Sequence, residues 1–316
     1  MNFRVWLYAF FYFVSSSALL VLNKISITFI PNAALLLFVQ IASTVVIISS
    51  AAMFSAQKVV FIPSPRMIKA YSSVAALFLA TIYSNFRLIH AVGVNPFIVL
   101  RCTTPLIVSV LDWCFLGREL PDRRSIIALA GIFISGSAFT LPKLTLFGDW
   151  ESLRHSDLSG VFWALVWLSC FALDMIYIKH IVDSYPCNGL ERTLYQNALS
   201  LPILTLILIS PLETAGVSSL HAAATEYAQV ALILSCVAGT ILSFTGMTLR
   251  SELSATVFTI LGIVCKMASA FLNELFVEAE DSVYSFACIF LSIISSSMYR
   301  QAPIKLEVAP RQRIQC

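Results

Sequence analysis

Residues 262–280 read GIVCKMASAFLNELFVEAE, and residues 101–119 read RCTTPLIVSVLDWCFLGRE. Both are apolar stretches of membrane-spanning length, and their few polar residues fall in register. Arg101 stands opposite Gly262, Thr104 opposite Cys265, Pro105 opposite Lys266, Asp112 opposite Asn273 and Glu119 opposite Glu280, at a constant offset of 161. A second pair of segments carries a Lys followed seven residues later by a Pro: Lys24 with Pro31, and Lys179 with Pro186, at an offset of 155. The chain therefore reads as an internal repeat, with six residues inserted between these two blocks.

The apolar character extends over the whole chain. Its 316 residues are 59% hydrophobic and only 12% charged, with a mean hydropathy of +0.86. A water-soluble domain carries about 25% charge. A soluble enzyme, a nucleic-acid binder and a disordered scaffold are excluded on that ground. The eight cysteines are dilute and show no CxxC pair, which excludes a secreted disulfide scaffold. Cys102, Cys114, Cys170, Cys236, Cys265 and Cys288 lie within apolar stretches and read as small packing residues.

A transmembrane helix needs roughly 20 mostly apolar residues and must satisfy its own backbone. Such stretches occur ten times, near Val5–Phe29, Ala33–Met53, Ile68–Leu88, Asn95–Leu116, Ser125–Leu141, Leu158–Ile181, Leu190–Pro211, Tyr227–Leu249, Ala255–Val277 and Val283–Tyr299. The expected fold is an all-α polytopic membrane protein with a single transmembrane transporter domain, 1–316. Its repeats run approximately over 1–142 and 157–300, joined by the stretch Pro142–Asp157, with a tail at 301–316. Five helices per copy is an odd number, so the second copy enters the membrane inverted. Inverted repeats are the architecture of alternating-access carriers, with the substrate near the midplane.

Basic residues set the expected orientation. With a cytosolic N-terminus, that side holds Arg4, Lys58, Arg66, Lys69, Arg118, Arg123, Arg124, Arg250, Arg300, Lys305, Arg311 and Arg313, against Arg87, Lys143 and Arg154 opposite. Twelve against three places both termini in the cytosol. Met1 to Arg4 leave no room for a cleavable leader, so the first span is expected to act as its own signal into the secretory pathway. There is no N-x-S/T sequon.

Ionisable residues at membrane depth are costly and usually face a cavity or a partner. On the ninth span, Phe258, Gly262, Lys266, Ser269 and Asn273 share one helical face. Gly262 permits close approach to the backbone, and Lys266 is a point charge suited to phosphate. The bland alternative pairs Lys266 with Glu274 or Asp174, or lets it snorkel to an interface. On the fourth span Arg101 is a second phosphate candidate, or else a partner of Asp112. On the first span Asn23 and Lys24 sit beside a polar stripe; Lys24 reads equally as an interfacial anchor. Asp174 on the sixth span reads as half of a structural ion pair. The seventh span opens with ERTLYQNALSLP at 191–202. The amides of Gln196 and Asn197 suit the edge of a nucleobase and Tyr195 offers a ring and a hydroxyl. The same residues also serve as interhelical glue.

These blocks resemble the nucleotide-sugar transporters of the drug/metabolite transporter superfamily, and within it the GDP-mannose/GDP-fucose type branch. That branch carries Phe-Tyr-Asn-Asn followed by Leu-Leu-Ser on span seven, and Gly-Ala-Leu-Asn-Lys on span nine. Here they read LYQNALS at Leu194–Ser200 and GIVCK at Gly262–Lys266. SATVFTILG at Ser254–Gly262, FIVLRCTTPL at Phe97–Leu106 and MIYIKH at Met175–His180 also fit. The resemblance implies that Tyr195 and Asn197 contact the base, and that Gly262 and Lys266 contact sugar and diphosphate. Phe258 stands where relatives have an aromatic, often Tyr. Gln196 replaces the first Asn of one motif, and Cys265 replaces the Asn of the other, exchanging an amide for a weak thiol.

The resemblance implies an antiporter that moves a GDP-sugar from the cytosol into the Golgi lumen and returns a nucleoside monophosphate. The bilayer is its other partner, a homodimer is compatible with the chain, and no nucleic acid is expected. The alternatives are a carrier of UDP-linked sugars or of small phosphorylated metabolites, an ER or other endomembrane location, and a transport-inactive scaffold for which Gln196 and Cys265 would mark decay. An enzyme is not expected, nor any metal or cofactor. The sequence has no HExxH, G-x-S-x-G or phosphate-cradling glycine loop, and His90, His155, His180 and His221 are scattered.

Overall fold

The computed structural model describes residues 3–29, 32–55, 59–92, 94–146, 158–209, 226–277 and 282–305. Among the described residues there are ten helices: α1 Phe3–Phe29, α2 Ala33–Phe54, α3 Pro65–Val92, α4 Val94–Phe115, α5 Arg123–Leu146, α6 Leu158–Ser184, α7 Gly189–Ile209, α8 Glu226–Glu252, α9 Ala255–Val277 and α10 Ser282–Met298. The only extended pairing among them is a bridge between Arg118 and Ile304. Six helices (α1, α2, α3, α4, α6 and α8) hold stretches long and apolar enough to cross a membrane, and α9 and α10 hold shorter ones. The chain is a multi-pass membrane protein. The joint at 147–157 and the tail from 306 lie outside the described residues.

Local chemistry sets the helix starts. Asn32 caps α2, its Oδ1 accepting from the Leu35 amide at 2.8 Å. Pro65 opens α3, where its missing N–H costs nothing, so the helix begins earlier than Ile68. Asp122 caps α5 by accepting from the Ser125 amide at 2.8 Å. Bonds from the Ser125 hydroxyl and amide hold the Asp122 carboxyl below the usual carboxylate range. Ser254 caps α9 by accepting from the Val257 amide at 3.2 Å. Inside the helices, hydroxyls bond back to their own backbone: Ser43 to Val39, Thr205 to Leu201, Thr248 to Phe244. A hydroxyl at membrane depth is thereby satisfied without a partner helix.

The chain divides into two compact units. The first comprises the described parts of Met1–Leu79 and Ile181–Glu252. In it α1 packs on α8, and α2 packs on α7 and α8. Polar knots cross these seams. Gln40 Nε2 donates to Asn23 Oδ1 at 2.7 Å and to Ser235 Oγ at 3.1 Å, and the Thr44 and Thr240 hydroxyls meet at 3.1 Å.

The second unit comprises the described parts of Ala80–His180 and Leu253–Gln312. In it α5 packs on α4 and α10, and α9 packs on the same two helices. Two residues beyond α4 stands Gly117, whose φ of 65° suits only glycine without strain. The following strand-like turn is clasped by the segment after α10: the Glu119 amide donates to Pro303 O at 2.9 Å, and the Lys305 amide to Gly117 O at 2.8 Å. Asp112, buried near the end of α4, accepts at Oδ2 from the Thr256 amide at 3.0 Å and from its hydroxyl at 2.6 Å. A carboxylate of α4 thus finishes the first turn of α9.

Two glycines of α5 make the close packing possible. A Cβ on Gly136 would stand 2.2 Å from Cys102 Sγ, and one on Gly131 would stand 2.4 Å from Ser295 Oγ. Cys102 is itself only 1% exposed, so its sulfur has no room to retreat. Gly136→Ala is expected to lower stability by about 1–3 kcal/mol. Thermal unfolding in detergent measures this, and the added change Cys102→Ala should restore most of the loss.

Candidate functional site

The polar cluster of α7 begins with its cap. Glu191 Oε2 accepts from the Asn188 amide at 2.9 Å, and the Glu191 amide donates to Asn188 Oδ1 at 2.8 Å, a reciprocal capping box. Glu191 Oε1 reaches out to the Val60 amide at 2.9 Å. One turn on, the Tyr195 hydroxyl donates to the Val60 carbonyl. The Tyr195 ring meets Tyr71 edge-on, centroids 5.5 Å apart. Asn197 Nδ2 donates to Thr193 O and to Ser243 Oγ, both at 2.8 Å, tying α7 to α8. Gln196 lies between them, 6% exposed, and its Oε1 has no hydrogen-bond partner. Because a buried carbonyl without a donor is costly, Gln196 is the one amide of this cluster left with an open demand among the described residues.

On α9, in the second unit, the expected face is mixed. Phe258 is buried, and Cys265 is completely so. Gly262 is the opposite of the α5 glycines: a Cβ there would meet nothing within 4 Å among the described residues. Its bareness therefore serves no packing contact in the structure. Lys266 is partly exposed, and among the described residues it forms no hydrogen bond and pairs with no carboxylate. Its electrostatic neighbours are Arg101 and Cys265. Arg101 lies over the rings of Phe97 and Phe171, 6.0 and 5.7 Å from their centroids. Trp167 stacks on Phe171 at 5.3 Å and meets Phe97 edge-on at 5.0 Å, completing an aromatic wall behind the guanidinium. Asp112, the other partner considered for Arg101, bonds Thr256 through Oδ2, while its buried Oδ1 has no hydrogen-bond partner.

The structure thus brings Tyr195, Gln196 and Asn197 together in one unit, and Arg101, Cys265 and Lys266 in the other. Asn23 belongs to the first unit but is held in the knot with Gln40 and Ser235. The side chains of Lys24, Ser269, Asn273 and Glu274 lie outside the described residues. Sequence reasoning missed Gln40, Ser243 and Val60. Gln40 had no motif around it, and Val60 acts only through its backbone. The capping-box spacing of Asn188 and Glu191 was the one available signal at the mouth of α7.

No family model matches the chain. Individual relatives do. The chain is 27% identical to GDP-fucose transporter 1 of Arabidopsis thaliana over 307 residues, covering 94% of this chain and 85% of that protein. The chain is a homologue of GDP-sugar transporters. It is also 28% identical to the GDP-mannose transporter GONST3 of the same plant over 235 residues, 73% of this chain and 60% of that one. With the GDP-mannose transporter of Eremothecium gossypii it shares 22% identity over 248 residues, 77% of this chain and 75% of the relative. These relatives are transporters rather than enzymes. The alignment with the first of them spans nearly every helix, so the resemblance is not confined to the motifs on α7 and α9.

Gly262 offers a clean test of whether the open space beside it is used. Alanine is the better helix former by about 1 kcal/mol, and its methyl meets no neighbour. Gly262→Ala is therefore expected to keep or slightly raise the melting temperature while lowering nucleotide-sugar uptake in proteoliposomes several-fold. Unchanged uptake would assign Gly262 no role in the cargo path.

Proposed function

We propose that this homologue of the GDP-sugar transporters is itself a GDP-sugar/nucleoside-monophosphate antiporter of Golgi membranes, with both termini cytosolic and its ten helices arranged as two inverted five-helix repeats. One observation carries the reading: Lys266 lies within the largely apolar α9 with a second cation, Arg101, as its electrostatic neighbour and no carboxylate to answer it among the described residues. Two neighbouring positive charges in a medium of low dielectric repel. An anion between them removes that cost, and a diphosphate carries about two negative charges at neutral pH. The orphan Oε1 of Gln196 supports a base-reading role on α7. It demands an N–H donor, which the Watson–Crick edge of guanine presents at N1 and N2.

The repeat is supported by the polar residues, which recur at offsets of 155 and 161. Repeat-related helices also pack on each other: α2 on α7, α4 on α9 and α5 on α10. Alternating access follows in outline. Cargo phosphate neutralises Lys266 and lowers the cost of moving that charge past apolar side chains. The empty carrier retains the cost, so inward passage of one nucleotide is coupled to outward passage of another. A carrier of small phosphorylated metabolites would need the cations but would leave the α7 amides without a use.

Thermal shift in detergent tests the substrate class. GMP and GDP-sugars are expected to raise the melting temperature more than UMP, CMP or UDP-sugars, and a chain stabilised by no nucleotide is not a carrier of them. Lys266→Ala should keep the wild-type melting temperature within a few degrees, since no ion pair is broken. It should reduce GMP/GDP-sugar exchange at least tenfold, the scale of one charge-assisted hydrogen bond. Normal exchange by that variant removes Lys266 from the mechanism.

A further inference from the structure

Val60 lies in the short connection between α2 and α3, with its side chain 56% exposed. Its backbone is nevertheless held at both polar groups by α7. The N–H donates to Glu191 Oε1 at 2.9 Å, and the carbonyl accepts from the Tyr195 hydroxyl. Glu191 and Tyr195 are four residues apart on one helical face and are only 8% and 3% exposed. Two buried side chains thus pin one exposed residue. The neighbouring Phe61 and Ile62 are exposed as well, at 48% and 84%, so the connection has no core of its own to hold it there.

The pin has a consequence for Tyr195. Its ring is covered and its one hydroxyl proton is committed to Val60, while Gln196 next to it remains buried and unsatisfied. A cluster in this condition is shut to a ligand, and the Val60 connection lies against it with no buried side chain among Val60, Phe61 and Ile62. The repeat does not require this device. At the positions 155 residues earlier stand Leu36 and Gln40, which offer neither carboxylate nor phenol, and Gln40 is turned to Asn23 and Ser235.

We infer that residues 59–64 form a latch over the nucleotide-reading cluster of α7, with Glu191 as its positioning residue, and that nucleotide binding releases the latch by drawing the Tyr195 hydroxyl away from the Val60 carbonyl. This rests on the reading of Tyr195 as a nucleotide contact. A tyrosine hydroxyl has a single proton to donate, so Val60 and an acceptor on the ligand compete for it. The Glu191 carboxylate accepts from two amides at once, Asn188 and Val60. Glutamine keeps one acceptor oxygen and loses the other, so Glu191→Gln can hold the helix cap or the latch but not both.

Hydrogen–deuterium exchange on the full chain in nanodiscs reads the latch directly, through the amides of Val60, Phe61, Ile62 and Ser64. Glu191→Gln is expected to speed exchange of these amides about tenfold without ligand, the factor expected for one hydrogen bond to a charged group. If that variant fails to fold, Val60→Pro deletes the same bond without touching the cap of α7, and the amides after it should speed up likewise. Saturating GMP is expected to speed exchange at 59–64 in the wild type. Slowed exchange would mean a ligand enclosed beneath a closed cover, and unchanged exchange together with a thermal shift by GMP would mean no coupling. Either overturns the latch and leaves the carrier reading standing. A chain that GMP neither shifts nor opens loses both, even where Glu191→Gln speeds exchange.

Discussion

A polar group carried to membrane depth must be answered from within the chain or by something the chain carries, because lipid answers nothing. Most of this molecule obeys the first alternative. Hydroxyls such as those of Ser43 and Thr205 fold back on their own helix, Gln40 gathers Asn23 and Ser235, and Asp112 completes the start of α9 through Thr256. Against that background several buried polar atoms are left unanswered, Asn85 Oδ1, Asp112 Oδ1 and the Tyr71 hydroxyl among them. Gln196 Oε1 has no donor and Lys266 has no counter-charge among the described residues. In a transport protein such demands are the natural places for cargo, since each is a cost that a bound ligand removes.

The same residue type does opposite work in different helices. Gly136 and Gly131 are bare because Cys102 and Ser295 press against them, and the helix seams of the second unit close over that contact. Gly262 is bare with nothing among the described residues within 4 Å of where a Cβ would stand. One kind of glycine is required by packing, and the other is not. The difference is invisible in composition and in helical periodicity, and it separates a structural glycine from a candidate ligand-facing one in a single measurement.

The α7 cluster shows how the two interpretations of an intramembrane amide divide among adjacent residues. Asn197 behaves as glue, bonding Thr193 and Ser243. Tyr195 is engaged with the backbone of a distant loop. Gln196, the residue that departs from the motif of the GDP-sugar carriers, is left with a buried acceptor that no donor meets. Its side chain is one methylene longer than the asparagine that it replaces. The departure therefore falls on the side chain of this cluster whose buried oxygen is unsatisfied. Cys265, the second departure, is wholly buried, so its thiol meets protein rather than open space.

The amino-acid sequence alone determined the membrane class, the placement of the helices and the offset at which their polar residues recur. Those properties come from hydropathy and from local rules of spacing and capping, which act over a few turns of chain and need no knowledge of neighbours. Tertiary structure alone decided which polar residues are spent and which remain available. Asn23, Asn197 and Asp112 were taken up by partners far away in the chain, while Gly262, Lys266 and Gln196 were left open. The reason is that satisfaction of a buried donor, acceptor or charge is a property of the pair, and the partner's position is set by packing across helices that periodicity along one helix does not encode.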